Sequence, residues 1–107
     1  MTSPLIEITV LTQPDCAFCE QAAVVLARVS QDHPLVVRHI QLGSEEGRAL
    51  AQRHGVLFAP GVLLEGQLLS YGRLSERRLR RELARRAAPP SPPPVERAGS
   101  ERGTNRR

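Results

Sequence analysis

From Leu5 to Leu11 the chain alternates, with Ile6, Ile8 and Val10 separated by Glu7 and Thr9, and Gln13-Pro14 closes the run. A period of two marks a strand with one buried face. The period then lengthens. Between Cys16 and Val29 there is no Gly or Pro, and Cys19, Ala22, Ala23, Leu26 and Val29 or Ser30 recur at helical spacing behind Asp15, which is placed to serve as N-cap. Asp32-His33-Pro34 ends that helix, and Leu35 to Leu42 predicts a second strand. Gly43-Ser44-Glu45-Glu46 opens a second helix with its acids favourably placed against the helix dipole; Ala49, Leu50 and Arg53 continue it, and Gly55 suits a left-handed closing position. Val62-Leu63-Leu64 and Leu68-Leu69-Ser70-Tyr71, joined around Glu65-Gly66-Gln67, predict an antiparallel hairpin. Ser75 caps a last helix whose Leu79 and Leu83 face inward and whose arginines face out.

The order strand, helix, strand, helix, hairpin, helix predicts an α/β fold. Strands joined by a helix run parallel through a right-handed crossover, and the hairpin adds an antiparallel edge, so the sheet is four-stranded, mixed and flanked by three helices. One domain over residues 1–86 accommodates these elements. From residue 87 onward the chain turns to Ala87-Ala88-Pro89-Pro90-Ser91-Pro92-Pro93-Pro94 and a polar end, Asn105-Arg106-Arg107. Such a segment buries too little apolar surface to offset its ordering entropy, so 87–107 is expected to be a disordered Pro/Arg-rich tail with polyproline II character.

Composition narrows the function. The aromatics are only Phe18, Phe58 and Tyr71, too few for a base-stacking platform. All 15 basic residues are Arg and the formal net charge is +4, yet residues 1–86 carry 11 Arg against 9 acids. The run Arg77-Arg78-Leu79-Arg80-Arg81-Glu82 therefore reads as a solvated helix face, with Glu76 to Arg80 and Glu82 to Arg86 pairs four apart, in preference to a nucleic-acid contact. No apolar segment approaches the ~20 residues that span a bilayer, and Met1-Thr2-Ser3-Pro4 lacks the pattern of a secretory signal. A cytoplasmic protein without membrane partners is expected.

The candidate chemistry lies in Cys16-Ala17-Phe18-Cys19, which holds both cysteines of the chain at the strand-to-helix transition. In a reducing compartment so close a pair is catalytic, redox-sensing or metal-binding more often than structural. A closed zinc site needs four ligands, and His33, His39 and His54 show no paired ligand spacing, so no metal is expected. Glu20 stands where a c-type haem attachment motif needs His.

Three segments together resemble the thioredoxin-like superfamily. The dithiol follows the first strand; His54-Gly55-Val56-Leu57-Phe58-Ala59-Pro60 is similar to the aromatic-Gly-aliphatic segment that leads to the family's cis-proline; and Gly72-Arg73-Leu74-Ser75, followed by Leu79 and Leu83, is similar to its glycine loop and last helix. The resemblance covers about residues 5 to 85. It implies the strand order 35–42, 5–11, 61–65, 67–71, with the dithiol and Pro60 at one end, and it implies a cis bond at Ala59-Pro60. The extra N-terminal strand and helix of full-length thioredoxins have no counterpart in this chain, which brings its size closer to glutaredoxins and short archaeal thioredoxins. Ala17-Phe18 replaces thioredoxin's Gly-Pro, Asp15 replaces its Trp, and Val10 stands where that family places a buried acid. Thr12-Gln13 and Tyr71-Gly72-Arg73 depart from the glutathione-binding pattern of glutaredoxins.

Disulfide exchange needs a thiolate, and the free N–H groups at a helix N-terminus favour one. Cys16 at that position is the expected nucleophile, with Cys19, one turn inward, resolving the mixed disulfide. Phe18, Ala59, Pro60 and Gly72 are the expected substrate-binding residues. Asp15 is expected to modulate Cys16, as a helix cap in preference to a repelling anion. The expected activity is reduction of protein disulfides, with no cofactor beyond the redox-active Cys16–Cys19 disulfide and with a reductase or low-molecular-weight thiol as electron donor. The alternatives are a glutathione-dependent glutaredoxin-like reductase and a non-catalytic interaction or redox-sensing module.

Overall fold

A computed structural model describes residues 5–87. The elements are β1 (Ile6–Thr12), α1 (Ala17–Val29), β2 (Leu35–Gln41), α2 (Glu45–His54), β3 (Gly61–Leu64), β4 (Gln67–Tyr71) and α3 (Glu76–Ala87). They form a four-stranded sheet in the order β2-β1-β3-β4. β1 pairs parallel with β2 and antiparallel with β3, and β3 pairs antiparallel with β4, so the sheet is mixed as the element order requires. α3 reaches Ala87, one residue past the expected domain boundary, and the rest of the expected tail lies outside the described residues. Among the described residues no helix is long and apolar enough to cross a membrane.

Local chemistry accounts for the element ends. The Ser44 hydroxyl accepts the Gly47 N–H at 2.9 Å at the start of α2, and Gly55 closes that helix in the left-handed region with φ 71°. Ser75 Oγ accepts the Arg78 N–H at 3.1 Å and begins α3. The hairpin turn shrinks to Glu65 and Gly66, whose φ values of 52° and 82° are those of a tight two-residue connection.

The alternation along β1 divides the core between two faces. Ile8 and Val10 point to α1 and α3, where they pack with residues including Leu26, Val29, Leu79 and Leu83. Leu11 points the other way, toward Ile40 and Val56, with Leu50 and Ala51 of α2 packed alongside. The buried stripe of α1 is Cys19, Ala22, Val25, Leu26 and Val29. It includes Val25 in place of the expected Ala23, which is exposed. The physical reason is that α1 packs on α3 as well as on the sheet, and Val25 turns toward Leu74 in the segment that leads into α3.

Ion pairs join these two helices at the surface. Arg28 of α1 reaches Glu76 at 2.9 Å, Arg80 also reaches Glu76 at 2.9 Å, and Arg80 extends to Asp32 at 2.8 Å. Glu82 pairs with Arg85 at 2.9 Å and not with Arg86 as its spacing suggested, because three-apart and four-apart side chains compete for the same carboxylate on a helix.

Candidate functional site

β1 ends at Thr12 and the chain crosses Gln13-Pro14-Asp15 before α1 begins. Asp15 lies in the left-handed region at φ 53°, a conformation that short polar side chains tolerate better than most. Cys16 then takes extended angles, φ −123° and ψ 108°, and is itself the N-cap. Its Sγ accepts the Cys19 N–H at 3.1 Å, and its carbonyl oxygen accepts the N–H groups of Cys19 and Glu20, each at 3.1 Å. The expected cap at Asp15 is thereby corrected. The turn places Asp15 one residue outside the helix, and the sulfur occupies the capping position its carboxylate was assigned.

Cys16 and Cys19 form a disulfide with a Cα–Cα distance of 5.1 Å, within the usual range for a bridge. Their surroundings differ. Cys16 is half-buried while Cys19 is only 9 % exposed on the inward side of α1.

The register brings the other segments to the same end of the sheet. Leu11, one residue before the end of β1, is paired with Gly61 at the start of β3, so Pro60 lies beside the point where the dithiol loop departs. Gly61 is also paired with Tyr71, which places Gly72 next to Pro60 on the other side. The Gly72 N–H donates to the Pro60 carbonyl at 2.8 Å, and the Ala59–Pro60 peptide is cis. Gly72 has φ 85°, and a Cβ there would lie 3.0 Å from Cε1 of Phe58. Glycine therefore permits both the turn and the seating of the Phe58 ring, which meets Tyr71 edge-on at 5.1 Å between centroids.

Of the expected substrate-binding residues, Ala59, Pro60 and Gly72 are buried, while Phe18 is half-exposed. Phe58 is also half-exposed, and Leu57 is 75 % exposed. Leu57 was missed in the sequence because an apolar residue between a helix and a strand reads as core; its exposure is visible only when Val56 is seen to take the buried position.

Two further residues emerge only in three dimensions. Gln21 on α1 both donates to the Leu74 carbonyl at 3.0 Å and accepts the Leu74 N–H at 3.2 Å, tying the dithiol helix to the loop after Gly72. His39, in the second half of β2, lines a cavity of about 200 Å³ shared with both cysteines. Its signal was the parallel register that sets it beside Val10. Val10 itself is buried and apolar, and no charged side chain is buried among the described residues. Among them no cluster of three or more His, Cys, Asp or Glu is placed to hold a metal ion.

The strand order, the helices on both faces and the disulfide at the start of α1 define a thioredoxin-like fold. Among solved structures the chain is similar to the N21Q mutant thioredoxin from Halobacterium salinarum NRC-1, with a TM-score of 0.61 and 20 % identity over 78 % of this chain and 75 % of that one. It is also similar to the oxidised thioredoxin from Plasmodium falciparum, with a TM-score of 0.54 and 14 % identity over 78 % of this chain and 82 % of that one. No family model matches the sequence, and no curated protein matches it.

Proposed function

We propose that this protein is a thiol–disulfide oxidoreductase that reduces disulfides in partner proteins through Cys16 and Cys19. The observation that carries the reading is the disulfide at the N-terminus of α1, with Cys16 more exposed than Cys19. In the reduced protein the Cys16 thiolate, favoured by the free N–H groups of the first helical turn, attacks one sulfur of a substrate disulfide and expels the other as a thiolate. Cys19 then attacks Cys16 Sγ, which closes the Cys16–Cys19 bridge and releases the second substrate thiol. Two electrons pass from the dithiol to the substrate, and no cofactor is required beyond the disulfide.

The exposed rings of Phe18 and Phe58 and the side chain of Leu57 supply an apolar border for an extended substrate segment. Ala59, Pro60 and Gly72 leave the floor free of protruding side chains. Partners are thus disulfide-containing proteins, and a reductase or small thiol of a reducing cytoplasm regenerates the dithiol.

An insulin-disulfide reduction assay with dithiothreitol tests the reading. The wild type should reduce insulin well above background and Cys16→Ser should fall to background; equal rates at background for both would leave only a docking role. Replacing dithiothreitol by glutathione and its reductase tests whether glutathione can act as donor.

A further inference from the structure

The resolving step needs a proton acceptor, because a thiol on the inward side of α1 attacks only after losing its proton. No carboxylate or imidazole is buried among the described residues, so a basic side chain can reach Cys19 through the cavity that it lines. That cavity, about 200 Å³, is lined by both cysteines and by Asp15, Glu20, Ala23 and His39. Three of these side chains can accept a proton. A carboxylate is a far weaker base than a thiolate, whereas a neutral imidazole is the closest to it in basicity.

Strand geometry gives His39 its place. Leu35, Val37 and His39 share one face of β2, and Leu35 and Val37 pack against the core beneath α1. His39, opposite Val10 in the register, continues that face beyond Val37 and is itself exposed, where the core gives way to solvent. Asp15, from the loop, and Glu20, from α1, are the other charged groups that line the cavity. Thr12 and Val10 on β1 bring no charge, and the neighbouring Arg38 is engaged by Glu46 at 3.2 Å and Glu7 at 4.0 Å.

We propose that His39 is the proton acceptor for Cys19, working across this water-accessible cleft, an inference that rests on the oxidoreductase reading. The Cys19 S–H gives its proton to a ring nitrogen of neutral His39, directly or through one water. The Cys19 thiolate forms a bond to Cys16 Sγ as the bond between Cys16 and the substrate sulfur breaks. The substrate leaves as a thiolate, and the proton on the imidazolium passes to it or to solvent.

Stopped-flow mixing of the reduced protein with a symmetrical nitrobenzoate disulfide tests the step, since each of the two thiolates released is coloured. The first phase reports attack by Cys16 and the second reports resolution by Cys19. In His39→Gln the first phase should stay within about twofold, while the second slows about tenfold or more and loses its rise through the histidine range; a positioned base typically contributes 10²–10⁴-fold. An unchanged second phase in His39→Gln overturns the inference, as does an equal slowing of both phases, or a loss seen in Glu20→Gln and not in His39→Gln. Failure of the function reading looks different: wild type would show no insulin reduction while its second phase still depended on His39.

Discussion

The two faces of the sheet are held very differently. Under α1 and α3 a continuous apolar cluster runs from Ile8 and Val10 through Leu26 and Val29 to Leu79 and Leu83, and the Arg28–Glu76–Arg80–Asp32 pairs tie the segments together outside it. Under α2 the buried cluster is only Leu11, Ile40 and Val56, with Leu50 and Ala51 partly covered. The dithiol is mounted on the first face, while the segment carrying Leu57 and Phe58 leaves the second. The paired sulfurs thus sit on the well-packed side. The border that the proposed function assigns to substrate grows from the side with less packing.

The largest separation between the faces is expected in core truncations. Leu79→Ala empties a site with no exposed surface and should cost about 3 kcal/mol, whereas Leu50→Ala on α2 should cost about 1 kcal/mol, both read from urea unfolding. Equal costs would break the contrast. Gly72→Ala probes the junction of the two faces: a left-handed φ and a 3.0 Å contact with Phe58 should cost about 1–2 kcal/mol and displace the ring. Its kinetic signature should be a raised KM for insulin with little change toward a small disulfide.

The smallest effect belongs to the surface pairs. Hydrogen bonds from Arg28 and then Arg80 hold the Glu76 carboxyl below its ordinary value of 4.5. A depressed carboxyl contributes stability that is present above its unfolded pKa and lost as pH falls through its folded one. Glu76→Gln should therefore lower the thermal midpoint slightly near neutral pH, and the gap to wild type should close well below pH 4.5 and shrink with added salt. A gap that persists in acid would mean that Glu76 acts through packing and not through charge.

Most of this architecture was legible in the chain, for reasons that differ by element. β1 alternates because one face is more deeply buried, α2 is bounded by Ser44 and Gly55, and the hairpin is fixed by a glycine that accepts positive φ. The paired cysteines marked the site directly. What escaped were properties that depend on two elements at once. The phase of the α1 stripe was set by α3, so Val25 displaced Ala23. The cap passed from Asp15 to Cys16 because the loop turns through a left-handed residue, which nothing in Gln13-Pro14-Asp15 demanded. His39 joined the site through strand register, and Gln21 reached Leu74 across 53 residues.

The cap at Cys16 also couples helix integrity to the oxidation equilibrium. In the bridged protein a neutral sulfur accepts the Cys19 N–H; under the proposed function the reduced protein would hold a thiolate there, and an ionised acceptor binds an N–H roughly twice as strongly as a neutral one. Opening the bridge would then strengthen the helix start. By thermodynamic closure, whatever the reduced form gains at this cap makes the bridge correspondingly easier to reduce and the dithiol a correspondingly weaker donor, so the first turn of α1 would set how readily the pair gives up its electrons.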